Sequence, residues 1–266
     1  MDIPATLTEA IKQKQAILFA GAGLSSSLGL PLFDVLTAHL AQELGLEDEA
    51  HIDFPILAEY YLLQKSSHEE FFEWMRCTWH PHNVQISSSR PHNDILDLDF
   101  PVIYTTNYDC WIERSFEQRG KAYRKVVSVQ DLADVKPGET EIIKFHGDLD
   151  DPASIILTES NFLRRMSLDE PLDIRLRSDS LARPILFVGY SLSDPNIRYL
   201  LYKLRQLWAQ HTDEGRKPAS YILMVERNPI QERLLCERGV QPIVSDAPDA
   251  TAGLCEFFQA LRHAVE

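Results

Sequence analysis

Short apolar runs alternate along this chain with longer stretches in which apolar residues recur at helical spacing. The runs lie at residues 16–20, 101–105, 141–145, 184–188 and 221–225, with a shorter one at 242–244. Most are brief and continuously apolar, the pattern of a strand buried on both faces, while 141–145 also carries Glu141 and Lys144. Helical patterns fill residues 6–14, 33–46, 109–119, 170–182, 195–208, 229–238 and 253–263. In 33–46, for example, Val35, Leu36, Leu40 and Leu44 fall on one side. Residues 47–98 carry helical patterns and polar loops but no convincing strand, and Phe71, Phe72, Trp74 and Met75 are expected to supply the core there.

The alternation predicts an α/β fold. It is a Rossmann-like, doubly wound parallel sheet with helices on both faces and a helical insertion after the first strand. The expected boundaries are residues 1–33 with 99–266 for the sheet domain, and 34–98 for a small helical subdomain. Ligands of such sheets bind at the carboxyl ends of the strands.

Charge and cysteine usage narrow the function. A formal net charge of −14 over 266 residues argues against direct nucleic-acid binding, which needs a basic face. The four cysteines, Cys77, Cys110, Cys236 and Cys255, form no C-x-x-C pair, so no zinc site of that kind is expected. Scattered cysteines also give no disulfide framework, which suits a reducing cytoplasm. The first residues lack an apolar run after a basic start, so no signal peptide is expected. No stretch approaches the roughly 18 apolar residues of a membrane span. A Cys77, His80, His82 and His92 group has metal-ligand residue types but no recognisable zinc spacing, and a structural or surface role is expected.

Four polar motifs each follow an apolar strand. The first is Gly21-Ala22-Gly23-Leu24-Ser25-Ser26-Ser27-Leu28-Gly29-Leu30-Pro31. Glycines there permit a sharp turn and close approach to a diphosphate, and Ser25 to Ser27 can cap a following helix. A tight turn without ligand is the alternative. The loop is not a Walker A motif, and Ser26 stands where G-x-G-x-x-G has its third glycine. The second motif, Thr105-Thr106-Asn107-Tyr108-Asp109, either caps the next helix or lines a site. The third, Lys144-Phe145-His146-Gly147-Asp148-Leu149, places a histidine at a strand end with glycine leaving space beside the ring; a structural or exposed histidine is the alternative. The fourth, Gly189-Tyr190-Ser191-Leu192-Ser193-Asp194-Pro195-Asn196, offers small residues and a good helix start.

These motifs, in this order, resemble the sirtuin family, specifically its zinc-less bacterial SIR2-like branch, over nearly the whole chain. The resemblance implies an NAD-binding fold and NAD as substrate. It implies that Gly21, Ala22, Gly23 and Ser25 form the diphosphate loop, and that Asn107 and Asp109 line the nicotinamide and ribose pocket. It makes His146 the catalytic histidine and Gly189 and Ser191 the adenosine-side cradle. Glu226, ending the next strand, stands where the family usually has a ribose-binding Asn. Zinc-containing sirtuin deacylases carry two cysteine pairs after the His-Gly motif, whereas residues 150–158 here have none. They also tend to carry Phe-Arg after Gly-Leu-Pro, and here Phe33 is followed by Asp34.

The expected function is therefore NAD glycohydrolysis by Asn107, His146 and Asp109, without zinc. Lysine deacylation and non-enzymatic sensing of NAD or ADP-ribose are the alternatives. What the resemblance implies of biology is abortive anti-phage defence, with activation by homo-oligomerisation or by a separate protein such as a HerA-like ATPase or a short Argonaute.

Overall fold

The computed structural model describes residues 1–46, 52–191, 194–209 and 218–266. Seven parallel strands form one sheet in the order β3-β4-β2-β1-β5-β6-β7. They are β1 (Ile17–Ala20), β2 (Val102–Thr105), β3 (Tyr123–Val126), β4 (Thr140–Lys144), β5 (Ile185–Val188), β6 (Ser220–Met224) and β7 (Val240–Val244). All strands expected from the apolar runs are present, and β3 is an additional one. The expected doubly wound fold is what the chain adopts.

Alternation within each strand builds two cores. On one face Leu18, Ile103, Ile142, Leu186 and Leu223 pack with helices α1 (Ala5–Lys12), α6 (Arg90–Leu98), α7 (Trp111–Arg119) and α13 (Ala250–Val265). On the other, Phe19, Tyr104, Ile143, Phe187 and Ile222 meet α10 (Pro171–Ala182), α11 (Pro195–Ala209) and α12 (Pro229–Glu237). The Phe19 ring stacks on Tyr104 at 5.9 Å between centroids and contacts Phe187 at 5.1 Å. The sheet is thus covered on both sides, which is why its central strands read as unbroken apolar runs.

The helical stretch before β2 divides in two. Helices α3 (Phe33–Glu43), α4 (Phe54–Lys65) and α5 (Glu69–Trp79) close their own core around Leu40, Tyr61, Phe71 and Met75. Helix α6 instead contributes Ile95, Leu96 and Leu98 to the sheet core. Tyr108, Leu149 and Ile155 from the strand-end loops and Trp111 at the start of α7 join the α3–α5 core. The helical unit therefore sits directly over the carboxyl edge of the sheet, where a ligand would enter.

The switch point of the sheet lies at β1 and β5, which pair in register from Ile17 with Ile185 to Ala20 with Val188. From β1 the chain winds outward through β2 to one edge, and β5 begins the return toward the other. The loops leaving these two strands meet at this switch point, the usual ligand position in such sheets.

Candidate active site

The loop after β1 enters a single-turn helix, α2 (Ala22–Ser26), with Gly21 in the N-cap position. The serines do not cap a following helix as expected. Ser25 lies inside α2 and donates its hydroxyl to Asp109 Oδ2 at 2.7 Å. Ser26 and Ser27 bond back to the carbonyls of Gly23 and Leu24.

The glycines of the first and fourth motifs interlock. Gly23 N–H donates to the Gly189 carbonyl at 2.8 Å, and Gly21 N–H to that of Val188 at 2.9 Å. A Cβ on Gly23 would lie 2.7 Å from Gly189 Cα, and Gly189 itself has φ +59°. Glycine is needed here because two backbones touch at the switch point. The glycine spacing read as room for a diphosphate serves, in this conformation, loop-to-loop contact.

The second motif converges on the first. Asn107 Nδ2 donates to Gly21 O at 3.1 Å and to Ser25 Oγ at 2.9 Å. Asp109 Oδ1 accepts the Trp111 amide at 3.1 Å, which starts α7. Asp109 therefore holds the helix start, one of the two readings of this motif. Ala22, Ser25, Asn107 and Asp109 border one small cavity together with Leu32 and Phe33. Its volume is about 20 Å³, room for about one water and no nicotinamide ring. Leu32 and Phe33, 44% and 40% exposed, line its outer side.

His146 does not border that cavity. Its ring is buried, with Nε2 2.9 Å from Asp194 Oδ2 and the Phe162 ring edge-on at 5.2 Å. Gly147 leaves no space beside it, because the Ser154 carbonyl occupies the position a Cβ would take. Asp194 also accepts the Asn196 amide at 2.8 Å and the Tyr190 hydroxyl at 3.2 Å. Burial alone would raise the Asp194 pKa, but His146 and the backbone amides of α11 hold it below the ordinary carboxylate value.

The remaining expected residues scatter. Ser191 is exposed, and its carbonyl accepts Gln231 Nε2 at 3.4 Å. Leu192 and Ser193 lie outside the described residues. Glu226 lies two residues beyond the end of β6 and is exposed, so it does not end the strand as expected. The Cys77, His80, His82 and His92 group is dispersed. His80 Nε2 accepts the Cys110 amide at 3.2 Å, and His92 pairs with Ser89 at 2.7 Å inside the core. Burial depresses the His80 pKa, which favours the neutral ring this acceptor role requires. Among the described residues, no cluster of three or more His, Cys, Asp or Glu side chains is placed to hold a metal ion.

A family model described as a SIR2-like domain matches residues 101–243, more than half of the chain. The chain belongs to the SIR2-like family. An NAD(+) hydrolase, ThsA, of Bacillus cereus (strain MSX-D12) is 28% identical over 223 residues, covering 84% of this chain and 46% of the relative. Defense-associated sirtuin 2 of Bacillus subtilis is 25% identical over 249 residues, covering 86% of this chain and 22% of the relative. The chain thus spans less than half the length of these relatives. A chain solved in work on the mechanism and regulation of Sir2 enzymes superposes with TM-score 0.53 at 15% identity, covering 99% of this chain and all of that one. That likeness is one of fold.

Two features around these candidate residues have no signal in the sequence. Asp194 was read as a helix start only, yet it is the polar partner of His146. The second is a pair of buried cations. Arg165, from α9 (Glu159–Arg165), is paired with Asp173, donates to Phe145 O at 2.6 Å and lies 4.0 Å over the Phe145 ring. It braces the backbone immediately before His146. Lys144 is fully buried beside Glu113 and Asp148. Neither pairing has a local sequence signal, because most of the partners lie on other elements. No helix among the described residues is long and apolar enough to cross a membrane.

Proposed function

We propose that this SIR2-like chain hydrolyses the bond between nicotinamide and ribose in NAD, giving nicotinamide and ADP-ribose. The observation that carries this reading is the hydrogen-bonded set of Asn107, Ser25 and Asp109 at the carboxyl edge of the sheet. The ThsA relatives, named NAD(+) hydrolases, support it.

The chemistry asks little of an acid. The pyridinium leaving group departs as neutral nicotinamide, and the ribose carbon passes through an oxocarbenium-like state, as in glycoside cleavage generally. Water attacks that carbon and loses one proton. The Asp109 carboxylate, buried and fixed by Ser25 and the Trp111 amide, stabilises the developing positive charge. Asn107 orients the carboxamide or the attacking water. His146, held by Asp194, accepts a proton from the water or from a ribose hydroxyl. The diphosphate rests against Gly21 to Ser25, and Gly189 and Ser191 face the adenosine side. Glu226, exposed past β6, is available to ribose hydroxyls.

Binding requires the cavity at Asn107 to open, since it holds about one water as it stands. A closed site suits an enzyme kept silent until triggered. We therefore place the chain in abortive anti-phage defence; the name of the Bacillus subtilis relative, a defense-associated sirtuin, supports the defence part of that role. Activation by self-assembly or by a separate partner protein such as a HerA-like ATPase or short Argonaute fits that role, in the cytoplasm where NAD is consumed. Chromatography of products from purified protein and NAD, alone and with the protein encoded beside it, tests the reading. Equimolar nicotinamide and ADP-ribose are expected. O-acetyl-ADP-ribose from an acetyl-lysine peptide would point to deacylation instead.

A further inference from the structure

We propose that Lys144 is a positioning residue whose ammonium sets the spacing between the Asn107 turn and the His146 turn. The inference rests on the NAD-hydrolase reading of the site and deepens it. Lys144 is the last residue of β4, two positions before His146. Its Nζ donates to the main-chain carbonyl of Asp109, two positions after Asn107. The same Nζ lies 3.1 Å from Glu113 Oε1 on α7 and 3.4 Å from Asp148 Oδ2, two positions after His146. One atom is thus tied to both loops that carry the candidate catalytic side chains, and to the helix that leaves one of them.

The cost of the arrangement argues that it does more than fill space. The Lys144 side chain is 0% exposed, with Glu113 at 4% and Asp148 at 1%. Burying such charges is expensive, and apolar residues of similar volume commonly stabilise a core as well or better. Burial opposes the charge on Lys144, but Glu113 and Asp148 restore it and push its pKa above the ordinary lysine value. Burial likewise raises that of Glu113. Lys125, half-buried on β3, lies 3.3 Å from Asp148 and supplies a second positive charge. What a buried ammonium adds over a methyl group is directionality. It donates to the Asp109 carbonyl while standing within ion-pair distance of Glu113 and Asp148. A displacement of about 1 Å between catalytic groups can cost roughly 10²-fold in rate.

The test uses two variants. Lys144→Met with Glu113→Gln removes the ammonium and one of the carboxylates it would strand. Lys144→Arg keeps the charge but moves the donors outward on a wider, planar head. Melting temperature, affinity for NAD, affinity for ADP and nicotinamide release are measured under conditions where the parent is active. ADP occupies only the diphosphate and adenosine side. The expected result is at least a tenfold loss of turnover in each folded variant, weaker NAD binding, and ADP affinity within about twofold of the parent. A folded variant of either kind with parent turnover overturns the proposal while leaving the hydrolase reading intact. If both variants lose NAD and ADP binding together, Lys144 is only structural and the proposal fails. A parent that neither binds nor cleaves NAD overturns the hydrolase reading and this proposal with it.

Discussion

His146 Nε2 lies 2.9 Å from the carboxylate of Asp194, with both side chains buried. The contact joins the end of β4 to the start of α11 across β2, β1 and β5. A carboxylate in that position orients the imidazole beside it.

Asp194→Asn separates this role from helix capping. Asn is as good an N-cap as Asp, so the amides of Asn196 and Ile197 keep an acceptor. The melting temperature should change little, while nicotinamide release should fall by about 10²–10⁴. The charge has its own pH signature. Because Asp194 titrates below its unfolded value, its stabilisation is present above about pH 4 and is lost as the pH falls through the folded pKa. Any stability gap between parent and variant should narrow in that acid range. Parent-like turnover in the variant would show that His146 works without Asp194.

Gly23 is expected to tolerate no side chain, because of Gly189. A Cβ at Gly23 meets Gly189 Cα at 2.7 Å, backbone that cannot rotate away. Gly23→Ala should cost on the order of 1–3 kcal/mol by overpacking and lower the melting temperature. Gly23→Val should lose NAD affinity through displacement of both loops. A thermal melt beside calorimetric titration distinguishes this from simple obstruction of a bound diphosphate, which would weaken binding and leave the melt unchanged.

His92 should make the fold acid-labile. Burial pushes its pKa down to about 4 from an unfolded value of 6.5. Between those values the unfolded chain takes up a proton that the folded chain does not, so stability falls as the pH drops from about 6.5 to 4. Half-buried His68 and His80 shift the same way, so a His92→Asn variant should show a shallower slope of melting temperature against pH, not a flat one. An unchanged slope would mean that His92 titrates normally.

Much of this was readable from the sequence because central parallel strands are buried on both faces and advertise themselves. β3 was not, since Tyr123, Arg124 and Lys125 are only half-buried at the sheet edge and just Val126 is fully covered. The meeting of Ser25, Asn107 and Asp109 follows from strand adjacency, because β1 and β2 pair and their loops emerge side by side. The pairing of His146 with Asp194 spans strands that do not touch, so no adjacency argument reaches it. Lys144 interrupts an apolar run, and its burial depends on carboxylates from two other segments. The purpose of Gly21 and Gly23 was half legible: the need for glycine was plain, but the Gly189 backbone that fills the space was not.

The central claim is that Asn107 and His146 carry NAD cleavage. Its most direct test is nicotinamide release from NAD by the parent, Asn107→Ala and His146→Ala, in the presence of whatever activates the parent. The account expects parent activity, melting temperatures of both variants close to the parent, NAD affinity reduced less than turnover, and turnover lowered by about 10²–10⁴ in each. Near-parent nicotinamide release from both folded variants would contradict it, and would mean that this SIR2-like fold does its chemistry elsewhere.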